Sequence, residues 1–386
     1  MKICFVYNSI FTLGGIQRCI TNLSNYLVKN GYDVTIICCD YNINIDRKMY
    51  NLDDKVTFIK ESLVKRLINL YRKPLIHLND KFGIFKNNLF ILEKIYYPYY
   101  HEIKHTIESE KYDIVISSAT YFNALLSFLK IKDVIKIGWQ HSSYFFYFED
   151  GGYKNKDAII KMMFKNLDKY VVLTNDDKNE IKKKLGYNVV RIYNALECFP
   201  KKSGNFNNKK FIAAGRLCTE KRFDLLIRDF GEFTKSNNDW ILNIYGDGPE
   251  RDNLQKLIDD LNLENRVKLC GYCSDMGKKY LESSIYCMTS ISEGFAMVVA
   301  EAMSCGLPII CYDIPAMREL VGKNCGFIVG EGNNSEFVDK MLLLSSNEDL
   351  YIKFSKQVKE RSKSFDIEKI GSEWIELFDS LVRKEK

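Results

Sequence analysis

Short apolar, β-branched runs alternate with amphipathic stretches along most of the chain. KICFVYN (2–8) is followed by Ile16, Cys19, Ile20, Leu23 and Leu27 at helical spacing, and then by DVTIICCD (33–40). This alternation predicts βα units on a parallel sheet whose continuous apolar strands are covered by helices on both faces. It continues through DIVISS, IKIGWQH, KYVVLT and VVRIYNA, breaks at the polar stretch KKSGNFNNKK (201–210), and resumes with FIAAGRL, WILNIYGDG, RVKLCGY, IYCMTS, LPIICYD and GFIV. The pattern predicts an α/β protein of two Rossmann-like domains, residues 1–200 and 208–365, facing across a cleft. A final amphipathic helix spans 366–386. Ligands in such folds sit at the carboxyl ends of the strands.

The candidate chemistry falls at those strand ends. EGFAMVVAEAMSCGLPII (293–310) reads as a loop to Ala296 and a helix over Met297–Cys305, stopped by Gly306 with Pro308 beyond. Glu301 stands among Val298, Val299, Ala302 and Met303, where a dry, unpaired carboxylate costs several kcal/mol, so it is expected to face something polar. It lies about one turn into the helix and leans toward the N-terminus, the direction in which backbone N–H groups from Gly294 to Val298 point. GRLCTEKRFDLLI (215–227) sets Arg216 and Lys221 on a loop after a strand. There they form either a solvated face or a planar fork with a point charge, suited to a diphosphate. NSIFTLGGIQR (8–18) carries Gly14 and Gly15, which serve a tight turn or admit a ligand close to the backbone before a helix N-terminus. The dinucleotide fingerprint G-x-G-x-x-G is absent from it.

Composition narrows the class. At 386 residues the chain exceeds one core, and with 46% hydrophobic and 27% charged residues it is an ordinary globular protein. Twelve cysteines, among them Cys4, Cys38 and Cys311 inside apolar runs, fit reduced cytosolic thiols better than a disulfide scaffold. CGYC (Cys270, Cys273) has redox spacing but neither a second pair nor a thioredoxin-like context. No apolar run has the length of a signal peptide or a spanning helix, so the protein is expected to be soluble or to sit on a membrane without crossing it. The net charge of +6 is uneven: residues 1–200 hold 29 basic against 21 acidic groups, the remainder 27 against 29. The basic first half points to an anionic partner, a phosphorylated ligand or an anionic lipid surface.

Two stretches of that half invite further readings. HEIKH (101–105) matches the H-E-x-x-H zinc pattern, but no third ligand or protease-like surround accompanies it, and an exposed amphipathic helix accounts for it; no metal is expected. Residues 60–105 interleave basic side chains with aromatics, nine basic against four acidic over 60–104. They form either core packing with a solvated rim or a patch that docks on an anionic membrane. Nucleic acid is not expected, because no recognised binding module accompanies the charge.

Taken together, SEGFAMVVAEAMSCGLPII, GGIQR, WQHSSY, VVLT, YNALE, GRLCTEKRFDLLI and YGDGPE resemble the retaining glycosyltransferases of the GT-B fold, particularly glycosyltransferase family 4, in the family's order and over nearly the whole chain. The resemblance implies transfer of a sugar from a nucleoside-diphosphate donor, a UDP-sugar, to a glycan or lipid-linked acceptor. The setting it implies is bacterial surface polysaccharide synthesis, in the cytoplasm or peripherally on the inner face of its membrane. It implies that Glu301 binds the donor ribose. Glu293 and the N–H groups of Gly294, Phe295, Ala296, Met297 and Val298 would hold the donor sugar and distal phosphate, with Gly246 and Tyr272 also lining the donor pocket. Arg216 and Lys221 would neutralise the departing diphosphate. Gly14 and Gly15 would approach it from the other domain, His141 would reach the transferred sugar, and the helix 366–386 would cross back to the first domain as a hinge. The acceptor hydroxyl would attack from the leaving-group side and give its proton to a phosphate oxygen. No Asp-x-Asp box stands out, so the implied enzyme needs neither metal nor cofactor. Gln17, Thr174, Ala195 and Ala296 depart from the usual Glu, Ser, Gly, and Gly or Pro, which touches donor and acceptor identity rather than reaction type. A nucleotide-sugar epimerase of the same fold and a non-catalytic nucleotide-sugar binder are the competing readings.

Overall fold

The structure is a computed structural model that describes residues 1–40, 46–60, 69–96 and 100–383, the side chains of 69–71 and 100–102 excepted. The chain divides into two compact units, residues 1–195 with 367–386, and residues 196–366.

The first unit is built on a seven-stranded sheet. Its strands are β1 (Lys2–Tyr7), β2 (Asp33–Cys38), β3 (Thr57–Lys60), β4 (Ile114–Ser118), β5 (Ile135–Trp139), β6 (Lys169–Val172) and β7 (Val190–Arg191), in the order β3-β2-β1-β4-β5-β6-β7. Every pairing is parallel. All of β4 is buried, as a strand covered by helices on both faces must be. The apolar run VVRIYNA contributes only two paired residues at the sheet edge, although Ile192 still donates its N–H to the Val172 carbonyl at 3.0 Å. The helix Ile367–Val382 belongs to this unit. Its Trp374 meets Trp139 at 5.0 Å between ring centroids, and Glu368 pairs with Lys29 at 2.7 Å.

The second unit carries six parallel strands: β8 (Lys210–Ala214), β9 (Ile241–Tyr245), β10 (Val267–Gly271), β11 (Ile285–Met288), β12 (Ile309–Tyr312) and β13 (Gly326–Val329), ordered β10-β9-β8-β11-β12-β13. Phe211, Phe230, Phe233 and Trp240 pack together in its core. Both sheets are doubly wound, with the strand order reversing between β1 and β4 and between β8 and β11, where ligand crevices form.

One ionisable group is sealed inside this second core. Asp229, on the helix Phe223–Thr234, is 1% exposed, and burial pushes its carboxyl up to about 7, against the opposing pull of Asn334 and Tyr312. Because the folded state holds this proton more tightly than the unfolded chain, the stability linked to it is present at acid pH and is lost as pH rises toward 7. Asp229→Asn should therefore gain stability over the native chain as pH rises from 5 to 8, read as the difference in urea midpoint.

Among the described residues no helix is long and apolar enough to cross a membrane, and no three potential ligand side chains cluster as a metal site. HEIKH lies on the helix Tyr100–Glu110, where His105 is exposed; the side chains of His101 and Glu102 fall outside the described residues, as do residues 61–68 and 97–99 of the basic aromatic stretch.

Candidate active site

The carboxyl ends of β8 and β11 bring two loops together in the second unit. The loop after β8 holds exposed Arg216 and runs through a short 3-10 turn, Thr219–Lys221. The loop after β11 carries Glu293. Although 72 positions separate them, the Lys221 ammonium is paired with the Glu293 carboxylate, at side-chain exposures of 21% and 13%. Backbone and side-chain bonds lock the loops. Ile291 N–H donates to the Glu220 carbonyl at 3.1 Å, and the Thr289 hydroxyl donates to the carbonyls of Lys221 and Arg222, each at 3.0 Å. Glu220 is held below the usual carboxylate range first by its own backbone N–H and then by Cys218, with the Arg216 guanidinium adding to the effect, so the two cations share one loop with a compensating acid.

Gly246, after β9, explains how the Arg216 loop is kept in place. Its φ is +133°, and a Cβ there would stand 1.9 Å from the Gly215 carbonyl oxygen. Only glycine lets these backbones meet, and bonds from Gly215 N–H to the Tyr245 carbonyl and from Leu217 N–H to that of Asp247, both 3.0 Å, fasten them. The amide of Gly246 itself donates to the Gly271 carbonyl at 2.8 Å, next to Tyr272, which is 58% exposed.

The helix begins at Met297, as the pattern predicts, and ends at Ser304, one residue early. Gly294, Phe295 and Ala296 are buried. Phe295 packs edge-on against Phe365 at 5.2 Å, and Ala296 enters the helix through the left-handed region at φ 58°, a conformation costing a non-glycine residue about 1 kcal/mol. Val299, Ala302 and Met303 face the core, whereas Met297, Val298 and Glu301 share a partly open side. Glu301 is therefore not sunk in the core: its helical face, rather than its apolar neighbours in sequence, decides its surroundings. Burial raises the Tyr286 phenol far above its usual range, and the negative charges of Glu293 and Glu301 add to that rise.

In the first unit, Gly14 N–H donates to the Tyr50 hydroxyl at 2.9 Å, and the buried Gln17 amide donates to Thr12 Oγ1 at 2.8 Å. The Gly14–Gly15 loop is thus fastened from both sides. His141 follows β5, with its ring 4.4 Å from that of Trp139. Both ring nitrogens are buried without a hydrogen-bond partner, and burial lowers the imidazole to about 3, so it is neutral at physiological pH. Its loop is pinned by Asp177, which accepts from Tyr144 N–H at 2.6 Å and lies on the short helix Asn175–Glu180 that Thr174 caps.

Lys221 and Glu293 are thus in direct contact, Arg216 shares the Lys221 loop, and Glu301 stands on the helix that follows the Glu293 loop. Gly14, Gly15 and His141 lie at strand ends of the first unit. Thr289, Tyr50 and Tyr286 were not singled out from the sequence. Thr289 had a signal, a hydroxyl just beyond a buried strand end, but the partners of Tyr50 are far away in sequence and left no trace.

Comparison with known proteins places the chain in context. Residues 197–361 match the family model of glycosyl transferases group 1, and residues 13–198 that of Glycosyltransferase Family 4. An uncharacterized glycosyltransferase of Haemophilus influenzae is 30% identical, covering 97% of this chain and 98% of its own. Poly(ribitol-phosphate) alpha-N-acetylglucosaminyltransferase of Staphylococcus aureus is 28% identical over 86% of this chain and 69% of its own. A variant of S. aureus TarM, solved with fondaparinux, alpha-GlcNAc-glycerol and UDP, superposes at a TM-score of 0.78 with 18% identity, covering 98% of this chain and 99% of that one. This last likeness bears on the fold alone, which is GT-B.

Proposed function

This chain belongs to the glycosyltransferases described by its two matching families, and we propose that it moves a sugar with retention from a UDP-sugar to a glycan or lipid-linked acceptor in bacterial surface polysaccharide synthesis. The observation that carries this reading is the Lys221–Glu293 pair beside Arg216, where the strand order of the second unit reverses. UDP in the TarM structure and the poly(ribitol-phosphate) acceptor named for the S. aureus relative support the donor and the setting. The alpha linkage named for both supports retention.

In this reading Glu301 accepts hydrogen bonds from the ribose hydroxyls. Glu293 and the amides of Gly294 to Val298 hold the sugar and distal phosphate, Gly246 and Tyr272 border the nucleotide, the Gly14–Gly15 loop serves the diphosphate, and His141 serves the transferred sugar. The anomeric C–O bond to the diphosphate breaks and the acceptor oxygen bonds the same face of that carbon. The acceptor proton passes to a phosphate oxygen. Charge grows on the diphosphate as this happens, and Arg216 and Lys221 meet it with preorganised cations, each contributing about 2 to 4 kcal/mol. They supply the positive charge for which other sites use a divalent metal, so turnover is expected to persist in EDTA.

The test is incubation of purified protein with a panel of nucleotide sugars, with and without membrane extract. Nucleotide release that depends on the extract and yields an alpha-linked product is expected. Sugar interconversion alone would assign an epimerase, and binding without turnover a sensor. Glu301→Ala is expected to weaken UDP binding about tenfold or more, by removing charge-assisted bonds to the ribose, as read by calorimetry.

A further inference from the structure

Neither nitrogen of the His141 imidazole has a hydrogen-bond partner among the described residues, so no polar contact sets the orientation of the ring. A working imidazole is ordinarily held by a bond to its second nitrogen, which also selects the tautomer. Here only the backbone is tied. Gln140 N–H donates to the Val171 carbonyl at 2.9 Å, and His141 N–H donates to the Tyr147 hydroxyl at 3.3 Å. Those bonds place the Cα of His141 and leave its side-chain torsions to packing.

The packing comes from the far end of the chain. Ile135, Ile137 and Trp139 leave β5 on one face by the alternation of a strand, and the His141 ring lies against Trp139 at 4.4 Å with 47° between the planes. The Trp139 indole is buried, its own N–H likewise without a partner among the described residues, and it meets the Trp374 indole edge-on at 5.0 Å and 68°. Behind Trp374 stands Phe378, 5.8 Å away and wholly buried. A column of rings therefore runs from the helix Ile367–Val382 to the imidazole. The register of that helix is fixed by other contacts. Gly371, about one turn before Trp374, has no room for a side chain because the Tyr26 ring fills its place. The Ser372 and Tyr26 hydroxyls share a hydrogen bond at 3.3 Å, and Arg191 donates to Glu373 at 3.4 Å. We propose that Trp374 is a positioning residue, which through Trp139 fixes the rotamer in which the His141 imidazole is presented to the transferred sugar. In a close-packed column a ring that loses its support tilts, and the ring above it follows. The consequence for transfer rests on the role given to His141 above.

The chain has four histidines, so a carbon-13 label at the imidazole Cε1 gives four signals in the full protein, and the one lost in His141→Gln is that of His141. In the native chain this signal should not titrate between pH 8 and pH 5, since burial lowers the imidazole to about 3. Trp374→Leu keeps apolar bulk but removes the ring. Water should then reach the imidazole, and its titration should move toward the ordinary value near 6.5. Its kcat should fall about ten- to a hundredfold with KM for the donor little changed, the usual result of misplacing a group at the reacting centre. Trp374→Phe restores an aromatic edge and should bring both readouts back toward native. Leu381→Ala loosens the same helix about two turns further on and should move neither. A native His141 that titrates near 6.5, or an unchanged titration in Trp374→Leu, would overturn the inference. So would a loss of kcat in Trp374→Leu that is equally large in a His141→Gln background, because the indole would then act on stability alone. A native kcat in His141→Gln would contradict the role of His141 in transfer, and the titration by itself would then decide whether the column holds the ring.

Discussion

Replacing Lys221 with methionine is expected to lower kcat by about a hundred- to a thousandfold, the usual cost of losing one preorganised group at a developing oxyanion. Methionine keeps the length and the apolar stem while removing the charge, so the loop after β8 should survive. The variant also leaves Glu293 without its cation, and at 13% exposure that carboxylate is poorly placed to find another. Donor affinity should suffer less than turnover, because the charge on the diphosphate is greatest as it departs. Arg216→Ala should act in the same direction but less strongly, since Arg216 is exposed and water replaces part of its effect. Single-turnover kinetics at saturating donor separates the two contributions.

Gly246→Ala is expected to destabilise the second unit by about 3 to 5 kcal/mol, because the added methyl would collide with the Gly215 backbone at a left-handed φ. Gly271→Ala is the control. It has φ +72° but nothing within 4 Å of a Cβ, so it should cost only about 1 kcal/mol. Urea unfolding of the two variants distinguishes collision from conformational preference. Equal losses would mean that the close approach of the two loops has no energetic consequence.

Much of the fold was legible because a buried parallel sheet writes itself as apolar runs at regular intervals, and the loops bearing Arg216, Glu293 and His141 could be placed at strand ends from that pattern alone. What the pattern hid was three-dimensional partnership. The Lys221–Glu293 pair joins groups 72 positions apart, and the Tyr50 bond to the Gly14 loop is similarly remote. The surroundings of Glu301 were obscured for a related reason. Met297 and Val298 look like core residues but lie on the same open side of the helix, so apolar letters surround the acid in sequence without surrounding it in space. VVRIYNA shows the opposite error: its composition suits a full strand, yet edge pairing extends only over Val190 and Arg191. The role of Gly246 was also out of reach, since a collision with the Gly215 carbonyl leaves no local sequence mark.

In the proposed site the loops after β8 and β11 hold the diphosphate of a nucleotide-sugar while Glu301 holds its ribose. Calorimetric titration of the native chain, Lys221→Met and Glu301→Ala with UDP and with uridine tests it directly. The native chain should bind UDP, Lys221→Met should lose affinity for UDP but not for uridine, and Glu301→Ala should lose affinity for both. A native chain that ignores UDP, or two variants that bind both ligands as the native chain does, would contradict it.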